Sequence, residues 1–178
     1  MADLMFAGIG GQGVLTAGKI LIEIAAEEGK NVCWTSEYSA EMRGGTALCR
    51  VVVADEEIGS PYPDQLDVLC CLNEGAYHTY IDQVRPGGKV IINASVFEQK
   101  TFDDGNEVYS VNATDIAMEN KNERGLNLIM LGALLKATGM FEQEAFADAL
   151  KNYFEKKGKG SEKNLACFNQ GYTDTVKL

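Results

Sequence analysis

Leu4-Met5-Phe6-Ala7-Gly8-Ile9-Gly10-Gly11-Gln12-Gly13-Val14 is the stretch from which the fold of this chain is read. Residues 4–7 form a short apolar strand, and Val14, Ala17, Ile20, Leu21 and Ile24 then recur at helical spacing. Between them, Gly8, Gly10 and Gly13 match G-x-G-x-x-G, in which a tight turn lets backbone amides at a helix N-terminus approach a phosphate closely. Two readings of that turn stand side by side: an anion-binding loop, or glycines that only permit a close strand-to-helix crossing. An acid for an adenosine ribose belongs at the end of the second strand, about 20 residues on. Glu37 is the nearest candidate and comes late. Lys19 follows Gly18 without the G-K-[ST] ending of a nucleotide-hydrolysing loop, so hydrolysis has little support.

Working outward, Gly29 closes the helix, and residues 31–35 and 46–54 supply further extended segments. Residues 67–72 are compact and apolar enough for a buried strand. Residues 74–84 suit a helix, and 89–93 a strand after the Arg85-Pro86-Gly87-Gly88 turn. This strand, helix, strand order predicts an α/β fold, a three-layer Rossmann-like sheet. The chain between Ser36 and Thr46 is too short for a parallel crossover, which needs a dozen or more residues, so 46–54 is expected to be antiparallel. Residues 108–111 suggest a short strand, with helical character after Asp115 and again at 166–176. Residues 126–137 form a helix apolar nearly all round, ended by Gly139, with another helix at 143–156. So little polar face predicts cover by the sheet and the next helix, a subunit interface being the other source of cover, and the isolated chain is expected to self-associate or expose a large apolar patch.

A chain of 178 residues, 46% hydrophobic, suffices for one core, and residues 1–178 are read as a single domain. The net charge of -10 and the lack of a basic run argue against nucleic acid as a partner. No run of 18 apolar residues suggests a membrane span, and the N-terminus lacks the pattern of a signal peptide, so a cytoplasmic location is expected. The five cysteines, Cys33, Cys49, Cys70, Cys71 and Cys167, include no C-x-x-C pair, and no metal site is expected from them. They read as buried reduced thiols. His78 is the only histidine and has no evident partner in the sequence, so no catalytic residue is assigned to this chain.

A second loop carries functional groups: Ser36-Glu37-Tyr38-Ser39-Ala40-Glu41-Met42-Arg43-Gly44-Gly45. Arg43 there suits a bidentate clamp on phosphate or carboxylate, or an ion pair with Glu37 or Glu41 that fastens the loop.

Taken together, G-I-G-G-Q-G-V at 8–14, Ser36-Glu37-Tyr38 and Glu41-Met42-Arg43-Gly44-Gly45 resemble the gamma domain of 2-oxoacid:ferredoxin oxidoreductases. Residues 127–139 (N-L-I-M-L-G-A-L-L-K-A-T-G) and 166–172 (A-C-F-N-Q-G-Y) resemble that family's later helix and C-terminal signature. The resemblance implies a subunit of a complex that oxidatively decarboxylates a 2-oxoacid, passes electrons to ferredoxin and transfers the acyl group to coenzyme A. It further implies that thiamine diphosphate, magnesium and iron-sulfur clusters sit on partner subunits and that the isolated chain is catalytically incomplete. No Gly-Asp-Gly motif for thiamine diphosphate occurs here. A short separate chain leans the substrate toward 2-oxoglutarate. The expected ligand residues are Gly8, Gly10, Gly11, Gln12, Gly13, Glu37, Arg43, Gly44 and Gly45, with coenzyme A as the phosphate-bearing group. An independent NAD(P)-binding oxidoreductase domain and a nucleotide-sensing or structural interaction domain are the alternatives.

Overall fold

Successive side chains of a strand point to opposite faces, so a strand apolar at every position has to be covered on both sides. Strand β1 (Ala2–Ile9) is such a strand from Leu4 to Ala7, beyond the acid Asp3: Leu4 and Phe6 enter one apolar cluster, Met5 and Ala7 another, all at most 1% exposed. The computed structural model describes residues 1–38, 45–60, 62, 64–99, 101–102 and 105–178. After β1 come α1 (Val14–Glu27), β2 (Asn31–Tyr38), β3 (Thr46–Ala54), β4 (Leu66–Cys71), α2 (Glu74–Tyr80) and β5 (Val84–Asn93). The chain ends with β6 (Glu107–Val111), α3 (Ala113–Glu119), α4 (Leu126–Thr138), α5 (Gln143–Lys156), α6 (Glu162–Asp174) and β7 (Val176–Lys177).

The strands form one mixed sheet in the order β2-β3-β1-β4-β5-β6-β7. Strands β1, β4, β5 and β6 pair in parallel. As expected from the short 36–46 connection, β3 is antiparallel to both neighbours, β1 and β2. It lies between β1 and β2, so the β1-α1-β2 unit is a parallel crossover with a strand inserted into it. The chain leaves β1 toward β2 on one side and returns to β4 on the other. The carboxyl ends of β1 and β4 therefore flank a topological switch point, the usual place for a ligand in open α/β sheets.

The two faces are covered unequally. Helix α1 packs on β1, β2 and β3, and α4 on β5 and β6, with α5 and α6 outside them. The other face carries α2, with Tyr77 edge-on to Phe97 and Phe102. Helix α4 has no polar side because α3, α5, α6 and the sheet surround it. Its residues from Leu126 to Leu135 are all buried. The cover comes from this chain itself: the sheet and the helix at 143–156, the plainest cover read from the sequence, are joined by α3 and α6, which that reading had not included. Helix α6 can lie this close because two glycines face each other: a methyl on Gly132 would sit 2.2 Å from Phe168 O, and one on Gly171 2.2 Å from Ile129 O.

Several boundaries differ from the sequence reading. Residues 85–88 bulge within β5 instead of preceding it, since Leu66 pairs with Val84 and Val68 already with Lys89. The helix expected over 74–84 ends at Tyr80, followed by a 3-10 turn at Ile81–Gln83. Helix α6 starts four residues earlier than residue 166. Strand β7 is too short for periodicity to signal and is held by pairing with Tyr109 and Ser110 of β6.

Candidate functional site at the head of the first helix

The switch point is closed by a side chain. Ile9 N-H donates to Gln12 Oε1 at 2.9 Å, and Asn73 Nδ2 reaches the same oxygen at 3.4 Å. Gln12 Nε2 in turn donates to Leu72 O at 3.4 Å, and Leu72 N-H to Ala7 O at 2.9 Å. The Gln12 carboxamide thus ties the end of β1 to the end of β4. Gly8 lies beneath it, where a methyl would come within 2.5 Å of Gln12 Oε1. Gly10 N-H donates to Gly45 O at 3.1 Å, so the glycine turn and the end of the second loop do meet, as the sequence suggested. That bond also occupies one of the amides expected to face an anion. Arg43 and Gly44, with Glu41, lie outside the described residues.

Glu37 is not brought to this place. It pairs opposite Leu48, which belongs to the apolar cluster on the α2 face, whereas α1 packs on the other. Burial first, and the Glu37 charge second, push the Tyr80 hydroxyl of α2 upward. The ribose acid of an NAD site ends the strand next to β1. Here β3 takes that place, so the NAD(P) alternative loses its acid.

What remains open at the turn is the start of α1. Gly13 caps it in the left-handed conformation (φ 78°), no side chain caps the free amides, and the first turn has no acid. The start of α4 has no side-chain cap either, but it continues from a 3-10 turn at Glu123–Gly125 that begins with an acid, and Gly125 N-H donates to Asn122 O at 2.7 Å. Unpaired N-H groups and the helix dipole make the start of α1 electropositive, and the start of α4 lies across from it. Both open onto one cavity of about 710 Å³, lined by Gly11, Gln12, Gly13 and Thr16 of the first turn and by Leu126, Asn127 and Leu128 of α4. Arg124 and Lys159 supply positive charge at its wall, and Glu123 is the one acid among the lining residues. Tyr153, Phe154 and Ile20 add apolar and aromatic lining, with Lys157 Nζ 3.7 Å from the centre of the Tyr153 ring. The volume falls in the range of about 300–1,000 Å³ usual for small-molecule sites.

Sequence reasoning missed Asn127, Arg124 and Lys159. For Asn127 a signal existed, an amide within the otherwise apolar L-N-L-I-M-L-G run. For the two cations there was none, because only the packing of α3, α4, α5 and α6 brings their loops to the glycine turn.

The other titratable candidates are structural. Burial pushes the Cys49 thiol up to about 12 and raises those of Cys70 and Cys71, which makes them poor nucleophiles and ligands. His78, with its side chain 59% exposed, sits 3.6 Å from Glu74 Oε1 on the surface of α2. Among the described residues, no group of three or more His, Cys, Asp or Glu is placed to hold a metal ion, and no helix is long and apolar enough to cross a membrane.

Comparison with known proteins gives this arrangement a family. The profile of the family described as pyruvate ferredoxin/flavodoxin oxidoreductase matches residues 3–173. The chain is 34% identical over 180 residues to 2-oxoglutarate synthase subunit KorC of Methanocaldococcus jannaschii, covering 99% of this chain and 95% of that one. It is 36% identical over 168 residues to ketoisovalerate oxidoreductase subunit VorA of Methanothermobacter thermautotrophicus, covering 93% of this chain. It spans only 34% of that relative's length. Among solved structures, 2-oxoglutarate:ferredoxin oxidoreductase from Magnetococcus marinus, with 2-oxoglutarate, coenzyme A and succinyl-CoA bound, superposes with a TM-score of 0.86 at 28% identity. The match covers 97% of this chain and 30% of that one. Because the profile runs through both loops and through the α4 and α6 blocks, the chain belongs to the pyruvate ferredoxin/flavodoxin oxidoreductase family, as a gamma-type domain of 2-oxoacid:ferredoxin oxidoreductases.

Proposed function

We propose that this chain is the gamma component of a coenzyme A-dependent 2-oxoglutarate:ferredoxin oxidoreductase, and that its glycine turn receives a phosphate of coenzyme A. The observation that carries the ligand reading is the uncapped, acid-free start of α1 opening onto a cavity of about 710 Å³. Two comparisons support the substrate: the near full-length likeness to KorC, and the Magnetococcus enzyme that holds 2-oxoglutarate and coenzyme A. Thiamine diphosphate, magnesium and the iron-sulfur clusters belong to partner subunits in this reading, and ferredoxin is reached through the complex. The part of this chain is to bind and orient: amides at the head of α1 meet the phosphate, with the Arg43 guanidinium as its cationic partner.

Two measurements test the reading. The complex co-purified with this chain is expected to reduce an acceptor with 2-oxoglutarate in preference to pyruvate and branched-chain oxoacids, and a pyruvate preference would overturn the substrate assignment. Arg43→Ala in the reconstituted complex is expected to raise the apparent KM for coenzyme A about 10-fold, the loss of one charge-assisted hydrogen bond, with assembly intact. Failed assembly, or unchanged coenzyme A kinetics, would instead make the second loop an interface element.

A further inference from the structure

We infer that β2 is a docking edge, which pairs antiparallel with β2 of a second copy of this chain about a two-fold axis at Trp34, so that the two sheets run on as one. The pairing depends on neither the ligand nor the substrate of the complex.

The two edges of the sheet differ. Strand β7 ends one of them with two residues, Val176 and Lys177, and short or lysine-bearing strands are how natural sheets blunt an edge. Strand β2 forms the other with eight residues, N-V-C-W-T-S-E-Y, paired to β3 without a bulge and with no proline, lysine or arginine among them. Among the described residues, its backbone bonds β3 alone. An edge strand directs every second pair of N-H and C=O groups away from its neighbour, and such a row fits one class of partner, another extended strand.

The side chains make β2 its own complement. Val32 and Trp34 pack with the cluster under α1, whereas Thr35 and Glu37 lie opposite Arg50 and Leu48 on the other face. About an axis normal to the sheet, only residues of the same face can stand opposite one another, so the register can change only in steps that keep this parity. Centred on Trp34, the pairing sets Asn31 opposite Glu37, Val32 opposite Ser36, Cys33 opposite Thr35 and Trp34 opposite itself. Glu37, the one charged residue of the strand, then meets an amide and not its own copy. Centring on Thr35 would set Glu37 against Cys33, and centring on Cys33 would push Ser36 and Glu37 beyond the start of the facing strand. Trp34 is partly exposed, with Lys19 Nζ 5.1 Å from its ring centre. Leu15 and Ile22, on the same side of α1 as Lys19, are also only partly buried. Two indoles over the axis, between two such helix faces, form the aromatic cross-strand pair that stabilises sheets. The contact is about 24 Å long and one strand deep, at the small end of specific interfaces, so the dimer is a reversible one.

Sedimentation velocity of the full chain, from micromolar to sub-millimolar concentration, is expected to show a monomer-dimer equilibrium. Thr35→Lys places a cation near its own copy on the partly exposed face of the strand and should weaken the dimer about fivefold or more, with circular dichroism confirming the fold. Crosslinking reads the register, because Cys33 is the one cysteine that is not buried. In Thr35→Cys the new thiol stands opposite Cys33 of the second copy, and oxidised glutathione should yield a covalent dimer. In Ser36→Cys the new thiol is on the other face from Cys33, and in the wild type Cys33 faces Thr35, so neither should match that rate. A chain that stays monomeric at every concentration would overturn the inference. So would an unchanged dimer constant in folded Thr35→Lys, or a covalent dimer formed as fast by Ser36→Cys or the wild type as by Thr35→Cys.

Discussion

Gly13 and Gly29 have nearly the same left-handed backbone, φ 78° and 79°, but different surroundings. A side chain in that conformation costs roughly 1–2 kcal/mol at either position. At Gly29 nothing lies within 4 Å of an added methyl, whereas at Gly13 the Asn127 side chain stands 3.0 Å away. Gly13→Ala is therefore expected to lower the urea midpoint more than Gly29→Ala, and equal midpoints would show that Asn127 yields without cost. Gln12 makes a related point. The sequence places it among ligand residues, but its carboxamide is occupied by Ile9, Leu72 and Asn73. A glycine-rich fingerprint shows where backbone approaches closely, and it does not show which side chains the strand ends have already used.

At the scale of elements, the crossing of α4 and α6 explains the two later sequence blocks. Gly132 and Gly171 let the helix backbones touch, and Gly132→Ala would put a methyl 2.2 Å from Phe168 O, where no flexible side chain can move aside. Overpacking of this kind costs about 1–3 kcal/mol and sometimes more. Gly132→Ala is expected in the upper part of that range by equilibrium denaturation, and a loss below about 0.5 kcal/mol would mean that the helices part easily.

The C-terminal strand β7 depends on a different interaction. Lys89, Lys177 and Tyr109 all bond Glu107, in that order of effect, and hold its carboxyl down at about 2. A carboxylate whose folded pKa lies below its unfolded value of about 4.3 contributes stability that is present above the unfolded value and fades as pH falls toward the folded one. The protection factor of Leu178 N-H against hydrogen exchange, that N-H donating to Val108 O at 2.9 Å, should therefore fall between about pH 4.5 and 2, and Glu107→Gln should flatten that dependence.

For the whole molecule, the enclosure of α4 removes the apolar face that would have driven self-association. Among the described residues, the large apolar side chains left exposed, such as Ile9, Val96 and Met118, are spread over different elements and none lies on α4. With 2-oxoglutarate, coenzyme A and thiamine diphosphate supplied, the isolated chain is expected to reduce no acceptor, and activity should appear when the thiamine- and cluster-bearing subunits are added. Turnover by the chain alone would refute the division of labour proposed here.

The sequence by itself determined the strand, glycine turn and helix at 4–24, the antiparallel β3 and the all-apolar α4. Each rests on contacts close along the chain: a 3.6-residue period, a positive-φ turn, a connection too short to cross over. Tertiary structure alone decided that Glu37 belongs to the opposite face, that Gln12 is spent on strand ends, and that Asn127, Arg124 and Lys159 meet the head of α1. The physical reason is that strand order and helix packing join residues more than 100 positions apart, and the periodicity of a single segment carries no information about which segment will lie beside it.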